Sequence, residues 1–188
     1  MTLQQVILGT IVYAVVLTAI VYFTRPTWRR FAGACAAGAA AAGLGLWVVV
    51  PVGEAHGLWH VPLDPSPVFM ALLFFGTAVS TVPILLVTWR IARRYGWRGL
   101  AVTFAFLAVI GPPREFAVEA KFPEWITYTP GIATVLAISA LYAGGIGAAH
   151  GVMRLVAGPA KGDRLARWPW EVAEPAAAHS VPTDSRRR

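Results

Sequence analysis

The sequence predicts an all-α membrane protein: one bundle of five transmembrane helices, with the N-terminus outside and the C-terminus in the cytoplasm. Three observations lead there. The 188-residue chain is 57% hydrophobic and only 13% charged, with a mean hydropathy of +0.61, unlike a soluble globular composition. Its apolar residues are gathered into runs, and a helix crossing needs about 20 of them. Its charges alternate from one connection to the next.

Four runs are long enough to cross: residues 3–23, 31–50, 68–89 and 131–156. A fifth span, residues 98–121, is purely apolar only as far as Ile110, about 16 Å of helix from Leu100 at 1.5 Å per residue. It is expected to break at Pro112-Pro113 and either continue through the charged stretch behind it or end there as an outer loop. Together these spans make a transmembrane domain over residues 1–157. Residues 158–188 are rich in Pro, Ala and charge without an apolar period, and read as a flexible cytoplasmic tail.

Orientation follows from the connections. Arg25, Arg29 and Arg30 lie between the first two spans. Arg90, Arg93, Arg94 and Arg98 lie between the third and fourth, and Arg154, Lys161, Arg164 and Arg167 cluster at the last. The other connections hold only Arg114 and Lys121 as bases, against Glu54, Asp64, Glu115, Glu119 and Glu124. The positive-inside rule assigns the arginine-rich side to the cytoplasm, so the expected location is the cytoplasmic (plasma) membrane, multi-pass. Basic residues follow the first span instead of preceding it, so no cleaved signal peptide is expected. The tryptophans suit the same frame, with Trp28, Trp89 and Trp97 at inner boundaries and Trp47, Trp59 and Trp125 at outer ones.

The net charge of +7 is accounted for by this orientation, and no nucleic-acid motif accompanies it. A single cysteine, Cys35, rules out an intrachain disulfide framework and a Cys-rich zinc site. Neither a phosphate-binding loop nor a Gly-x-Ser-x-Gly nucleophile elbow is present.

Helix packing is written in small residues. Ala34, Gly38 and Ala42 recur every fourth residue in the second span, and Gly147 and Gly151 do so in the last. Such stripes let helix backbones approach closely in lipid, within one chain or between helices of partner chains. Pro83 frees the carbonyl of Val79, with Thr77, Ser80 and Thr81 nearby to satisfy freed backbone groups. His150, between Gly147 and Gly151, is expected to form an interhelical hydrogen bond, with a proton relay as the alternative.

The segment from Gly111 to Trp125 carries five charged side chains directly behind the short apolar run. Ionisable groups at membrane depth are costly, which makes this cluster the candidate site. In a helix Glu115 and Glu119 share one face, and Arg114 and Lys121 share another. Paired carboxylates repel, so a cation, a partner or a proton must compensate them. The preceding outer loop adds His56 and His60, whose spacing would suit a divalent metal if a helix aligned them. Binding residues are therefore expected among Arg114, Glu115, Glu119, Lys121, His56 and His60. A metal is not favoured and no cofactor is predicted; His56, His60, Glu115 and Glu119 would form the donor set for one.

Three functions stay open. The cluster binds a solute, ion, lipid headgroup or partner subunit in a transport or accessory role. Alternatively, a membrane-embedded enzyme acts on a lipid or isoprenoid with Glu115 or Glu119 as acid or base. In the third, the charges form a structural salt-bridge lattice in a membrane-complex subunit.

Overall fold

The computed structural model describes residues 2–64 and 66–158. The expected tail lies outside the described residues after Gly158. The described chain is mostly helical. Helix α1 is Leu3–Thr24, and α2 is Trp28–Leu44, which passes through a π-helical turn, Gly45–Val49, into α3, Val50–Ala55. Strand β1, Trp59–His60, precedes the long helix α4, Pro67–Lys121; strand β2 is Thr127–Tyr128. Helix α5, Ile132–Ala140, continues through a second π-helical turn, Leu141–Gly145, into α6, Ile146–Ala157. Four helices are long and apolar enough to span a membrane: Leu3–Thr24, Trp28–Ala55, Pro67–Lys121 and Ile132–Ala157.

The 55 residues of α4 would reach about 82 Å if straight, against a hydrocarbon core of about 30 Å. The chain resolves this at Gly96, whose φ of 62° and ψ of −147° are non-helical and readily adopted only without a Cβ. A methyl group placed on Gly99 would sit 2.9 Å from Ile91 Cγ2, a separation impossible along one straight helix. The return path is visible against α1. Arg90 Nη1 donates to Phe23 O at 3.1 Å, near one end of α1, while Trp125 Nε1 donates to Gln5 Oε1 at 3.0 Å, near the other. A single glycine therefore does the work of the connection expected over residues 90–97.

The small-residue stripe of α2 packs inside the chain. Ala34 and Ala42 have no exposure, and a Cβ on Gly38 would lie 2.8 Å from Ala78 O of α4. On the other side, a Cβ on Gly33 would meet Met153 O of α6 at 3.1 Å. Around this seam Ala34, Ala37, Val82, Leu85, Leu86, Trp89, Ala149 and Met153 form the core. The second small-residue pair behaves differently: Gly147 approaches Phe104, and Gly151 faces open space. Helix α1 buries only Val6 and leaves most of its apolar side chains exposed.

Three local expectations change. Pro83 stays within α4, but Ser80 and Thr81 donate to Thr77 O and Thr77 donates to Leu73 O. Hydroxyls reach the carbonyl three or four residues back, so none of these serves Val79. Trp59 and Trp89 are 8% and 4% exposed, so they are core residues, unlike the exposed Trp28, Trp47 and Trp97. The helix also does not break at Pro112-Pro113: backbone geometry stays helical through both prolines to Lys121.

The described charges segregate. Arg25, Arg29, Arg30, Arg90, Arg93, Arg94, Arg98 and Arg154 belong to the end where α4 folds back; every described acid lies toward the other end. At that acidic end, Trp59 pairs with Tyr128 and His60 with Thr127 in a short antiparallel ladder. Thr129 adds its N–H to Leu58 O at 3.0 Å and its hydroxyl to Gly57 O at 2.6 Å. The indole of Trp59 lies over Gly53, where a Cβ would come within 1.8 Å of the ring. The two loops at this end are thus fastened together beside the charged cluster.

Candidate functional site

The unbroken helix is what assembles the site. Pro112 and Pro113 have no N–H, so the carbonyls of Ala108 and Val109 lose their intrahelical donors. Tertiary packing holds the helix past that gap. Gly111 is buried, and a Cβ on it would lie 2.7 Å from Tyr142 Cγ. The ring of Tyr142, in the turn between α5 and α6, therefore rests on the backbone of α4. Its hydroxyl then reaches the residues that follow the prolines.

Glu115 is the hub. Its Oε1 receives hydrogen bonds from Arg114 Nη1 and from the Tyr142 hydroxyl. Its Oε2 accepts from the Tyr128 hydroxyl at 2.9 Å. Arg114 Nη1 also donates to the Tyr142 hydroxyl at 2.5 Å. The Glu115 side chain is 17% exposed and that of Arg114 50%, so the carboxylate is the enclosed partner. Arg114 reaches Glu115 although the two positions differ by about 100° around the helix; the long guanidinium arm bends back to do so.

Glu119, one turn on, accepts the backbone N–H of Tyr128 at 2.9 Å. Tyr128 consequently engages both carboxylates, one through its hydroxyl and one through its backbone. Glu115 and Glu119 thus each have their own donors. Burial raises the Tyr128 hydroxyl well above its usual range, and the neighbouring Glu115 carboxylate adds to the effect. Tyr128 is held as a protonated donor. Phe116 packs edge-on against its ring at 5.5 Å between centroids.

The remaining expected site residues fall elsewhere. Lys121 is exposed in the last turn of α4, where a cation complements the helix C-terminus, and it takes no part in the Glu115 network. His56 caps α3, which ends as Gly57 turns to a φ of 65°. His60 lies beyond that turn in β1, so no helix face aligns the two imidazoles. Instead His60 Nδ1 lies 3.2 Å from Glu54 Oε1, which also accepts the Val61 N–H at 2.9 Å. Among the described residues no group of three His, Cys, Asp or Glu is placed to hold a metal ion. The composite of His56, His60, Glu115 and Glu119 is not brought together.

Glu124 belongs to a separate tie. Its Oε1 accepts from Gln5 Nε2 at 3.2 Å, and Gln5 Oε1 serves both Trp125 Nε1 and the Thr2 N–H in the capping box of α1. Hydrogen bonding, first from the backbone and then from Gln5, holds this carboxyl below its usual range.

At the opposite end His150 is 3% exposed and meets the Thr88 hydroxyl at 2.9 Å through Nδ1. This is the expected interhelical bond. Thr88 Oγ1 also lies 3.0 Å from Leu85 O, so the hydroxyl is shared between its own helix and the imidazole.

Sequence reasoning missed Tyr128 and Tyr142. The signal available for Tyr142 was a hydroxyl-bearing ring within an apolar span; buried tyrosines need a polar partner for the hydroxyl. Tyr128 carried no comparable local signal. Comparisons with protein-family models, curated proteins and solved structures give no match.

Proposed function

We propose that this chain is a multi-pass protein of the cytoplasmic membrane, crossing five times, with Gln5 and Glu115 on the outer side and the arginine-rich end in the cytoplasm. The bend at Gly96 and the separation of charge between the two ends support that topology. Its role is non-catalytic, in the accessory or structural class. The outer cluster works as a closed polar lattice that fastens the loops to the bundle.

The observation that carries this reading is the engagement of Glu115 by three partners: its chain neighbour Arg114, Tyr142 from the turn between α5 and α6, and Tyr128 from β2. A general acid or base needs an oxygen presented to substrate, whereas both oxygens of Glu115 already hold donors. A second reading, anion or solute binding at the same place, draws support from the half-exposed Arg114 side chain.

Single substitutions Arg114→Gln, Glu115→Gln and Glu119→Gln separate these roles when folded yield, thermal stability and cellular phenotype are measured together. The lattice predicts reduced yield for Arg114→Gln and Glu115→Gln, with loss of phenotype following loss of protein. Full yield with lost phenotype would move the assignment to binding or catalysis. An altered lipid extract in Glu119→Gln cells would then identify an enzyme. A reporter fused at the C-terminus that works only outside the cytoplasm would overturn the topology.

A further inference from the structure

Helix α4 carries a face that the lattice leaves unused. Phe106, Ile110 and Arg114 follow one another at four-residue steps, and Ala117 and Lys121 continue the same side. All five are exposed. Glu115 and Glu119 lie on another side of the helix, where Tyr142 and Tyr128 hold them, so no acid shares this face. Its chemistry changes along its length, from apolar at Phe106 and Ile110 to cationic at Arg114 and Lys121.

Depth follows from the helix itself. Arg114 stands about 27 Å beyond the bend at Gly96, just short of a hydrocarbon core of roughly 30 Å. Lys121 stands about 10 Å farther on. The two cations therefore bracket the level at which acyl chains give way to headgroups.

Arg114 is also prepared for a ligand. Its Nη1 serves Glu115 Oε1 and the Tyr142 hydroxyl. A guanidinium has five N–H groups, and among the described residues only Nη1 of Arg114 donates. The Nε and Nη2 edge is left over, in a side chain that is 50% exposed. That edge is a planar two-donor fork, which suits phosphate. Lys121 has no ion pair among the described residues. Membrane helices that pack closely meet over small residues, whereas Phe106 and Ile110 are large and 62% and 42% exposed. A phospholipid matches the face in order, apolar chain first and phosphate after it.

We propose that this face of α4 binds a phospholipid, with its phosphate at Arg114 and Lys121 and an acyl chain along Phe106 and Ile110. This binding rests on the helices crossing a bilayer as proposed above. It is compatible with the lattice, which uses the opposite edge of Arg114.

The test is lipid retention by the purified full-length chain in detergent, read by native mass spectrometry. The probes are phosphatidylglycerol, diacylglycerol with the same chains, and inorganic phosphate. Phosphatidylglycerol is expected to be retained over diacylglycerol. Lys121→Gln should weaken retention about fivefold, the scale of one surface cation acting on an anionic lipid. Arg114→Lys keeps the charge beside Glu115 but loses the fork, and should weaken it about tenfold or more. Arg98→Gln, at the other end of the bundle, should leave it unchanged. Phosphatidylglycerol with a photoactivatable diazirine on its acyl chain should label Phe106–Ile110 above the exposed face of α1. That labelling of the parent chain decides the matter even if Arg114→Lys fails to fold. Thermal unfolding in lipid-free detergent separates binding from the lattice: Lys121→Gln should melt with the parent. Equal retention of the two lipids, full retention in Lys121→Gln, or labelling no stronger than on α1 would overturn the proposal. Displacement by millimolar inorganic phosphate would make this a free-phosphate site and overturn the lipid assignment. Retention intact in a chain whose C-terminal reporter works only outside the cytoplasm would uphold the site and overturn only the topology.

Discussion

The two ends of this bundle treat charge in opposite ways. At the acidic end Arg114 and Glu115 neutralise each other beside two tyrosine hydroxyls. At the other end Arg30, Arg90, Arg93 and Arg94 line one cavity with no described acid among them. A paired charge that is partly enclosed is part of the fold, because removing one member strands the other. Charges of one sign gathered around a cavity contribute repulsion unless something external joins them. The first arrangement stabilises the fold through its own pairs.

The largest expected effect breaks the contrast directly. Glu115→Ala leaves the Arg114 cation and two tyrosine hydroxyls without their acceptor, and should cost about 2–3 kcal/mol, the lower end for a disrupted buried pair because Arg114 is half exposed. Arg93→Gln in neutral detergent should cost less than about 0.5 kcal/mol or slightly stabilise, as surface changes do when no partner is lost. Thermal unfolding of both variants side by side is the measurement. Comparable losses at the two ends would erase the distinction.

A steric version of the comparison is smaller. Gly111→Ala drives a methyl into the Tyr142 ring, 2.7 Å from Cγ, and should cost about 1–3 kcal/mol through overpacking. Gly144→Ala, where nothing lies within 4 Å, should be neutral or gain up to about 1 kcal/mol from the helix preference for Ala over Gly. If Gly111→Ala also proved neutral, Tyr142 would not be seated on that backbone and the lattice would lose its anchor.

Much of this architecture is legible in the sequence because lipid imposes simple rules. The apolar runs, the sorted arginines and the Ala34–Gly38–Ala42 stripe each follow from one local constraint. His150 announced its need for a partner by being ionisable in an apolar span, and Thr88 supplies it. What escaped depends on distance along the chain. Tyr142 lies 27 residues beyond Glu115, and no periodicity relates them. The two-residue ladder of Trp59–His60 with Thr127–Tyr128 is too short to produce an alternating pattern. Pro112-Pro113 misled for a related reason: local propensity argues for a break, whereas Gly111 against Tyr142 and the carboxylate bonds beyond it hold the helix together. Trp59 and Trp89 have the right positions for an interfacial belt, but position along a span does not reveal which way a ring faces.

The smallest effect concerns Glu124, which lies at the paired end yet is fully exposed to water. Its folded-state carboxyl is held below the usual range by backbone and Gln5 hydrogen bonds. A depressed folded value means that the unfolded chain takes up the proton first as pH falls. The stability contributed by Glu124 is therefore complete above its unfolded value and disappears as pH drops through the lower folded one. Melting temperature measured from neutral into the acid range should decline slightly more steeply for the parent than for Glu124→Gln, which keeps an acceptor for Gln5 but cannot titrate. The exposed Glu124 tie should therefore contribute at neutral pH and cease to contribute at the acid edge. Identical acid limbs for parent and Glu124→Gln would show that the charge of Glu124 adds nothing to its Gln5 tie, leaving the Glu115 lattice and the Trp59–Tyr128 ladder as the main fastenings of the loops at this end.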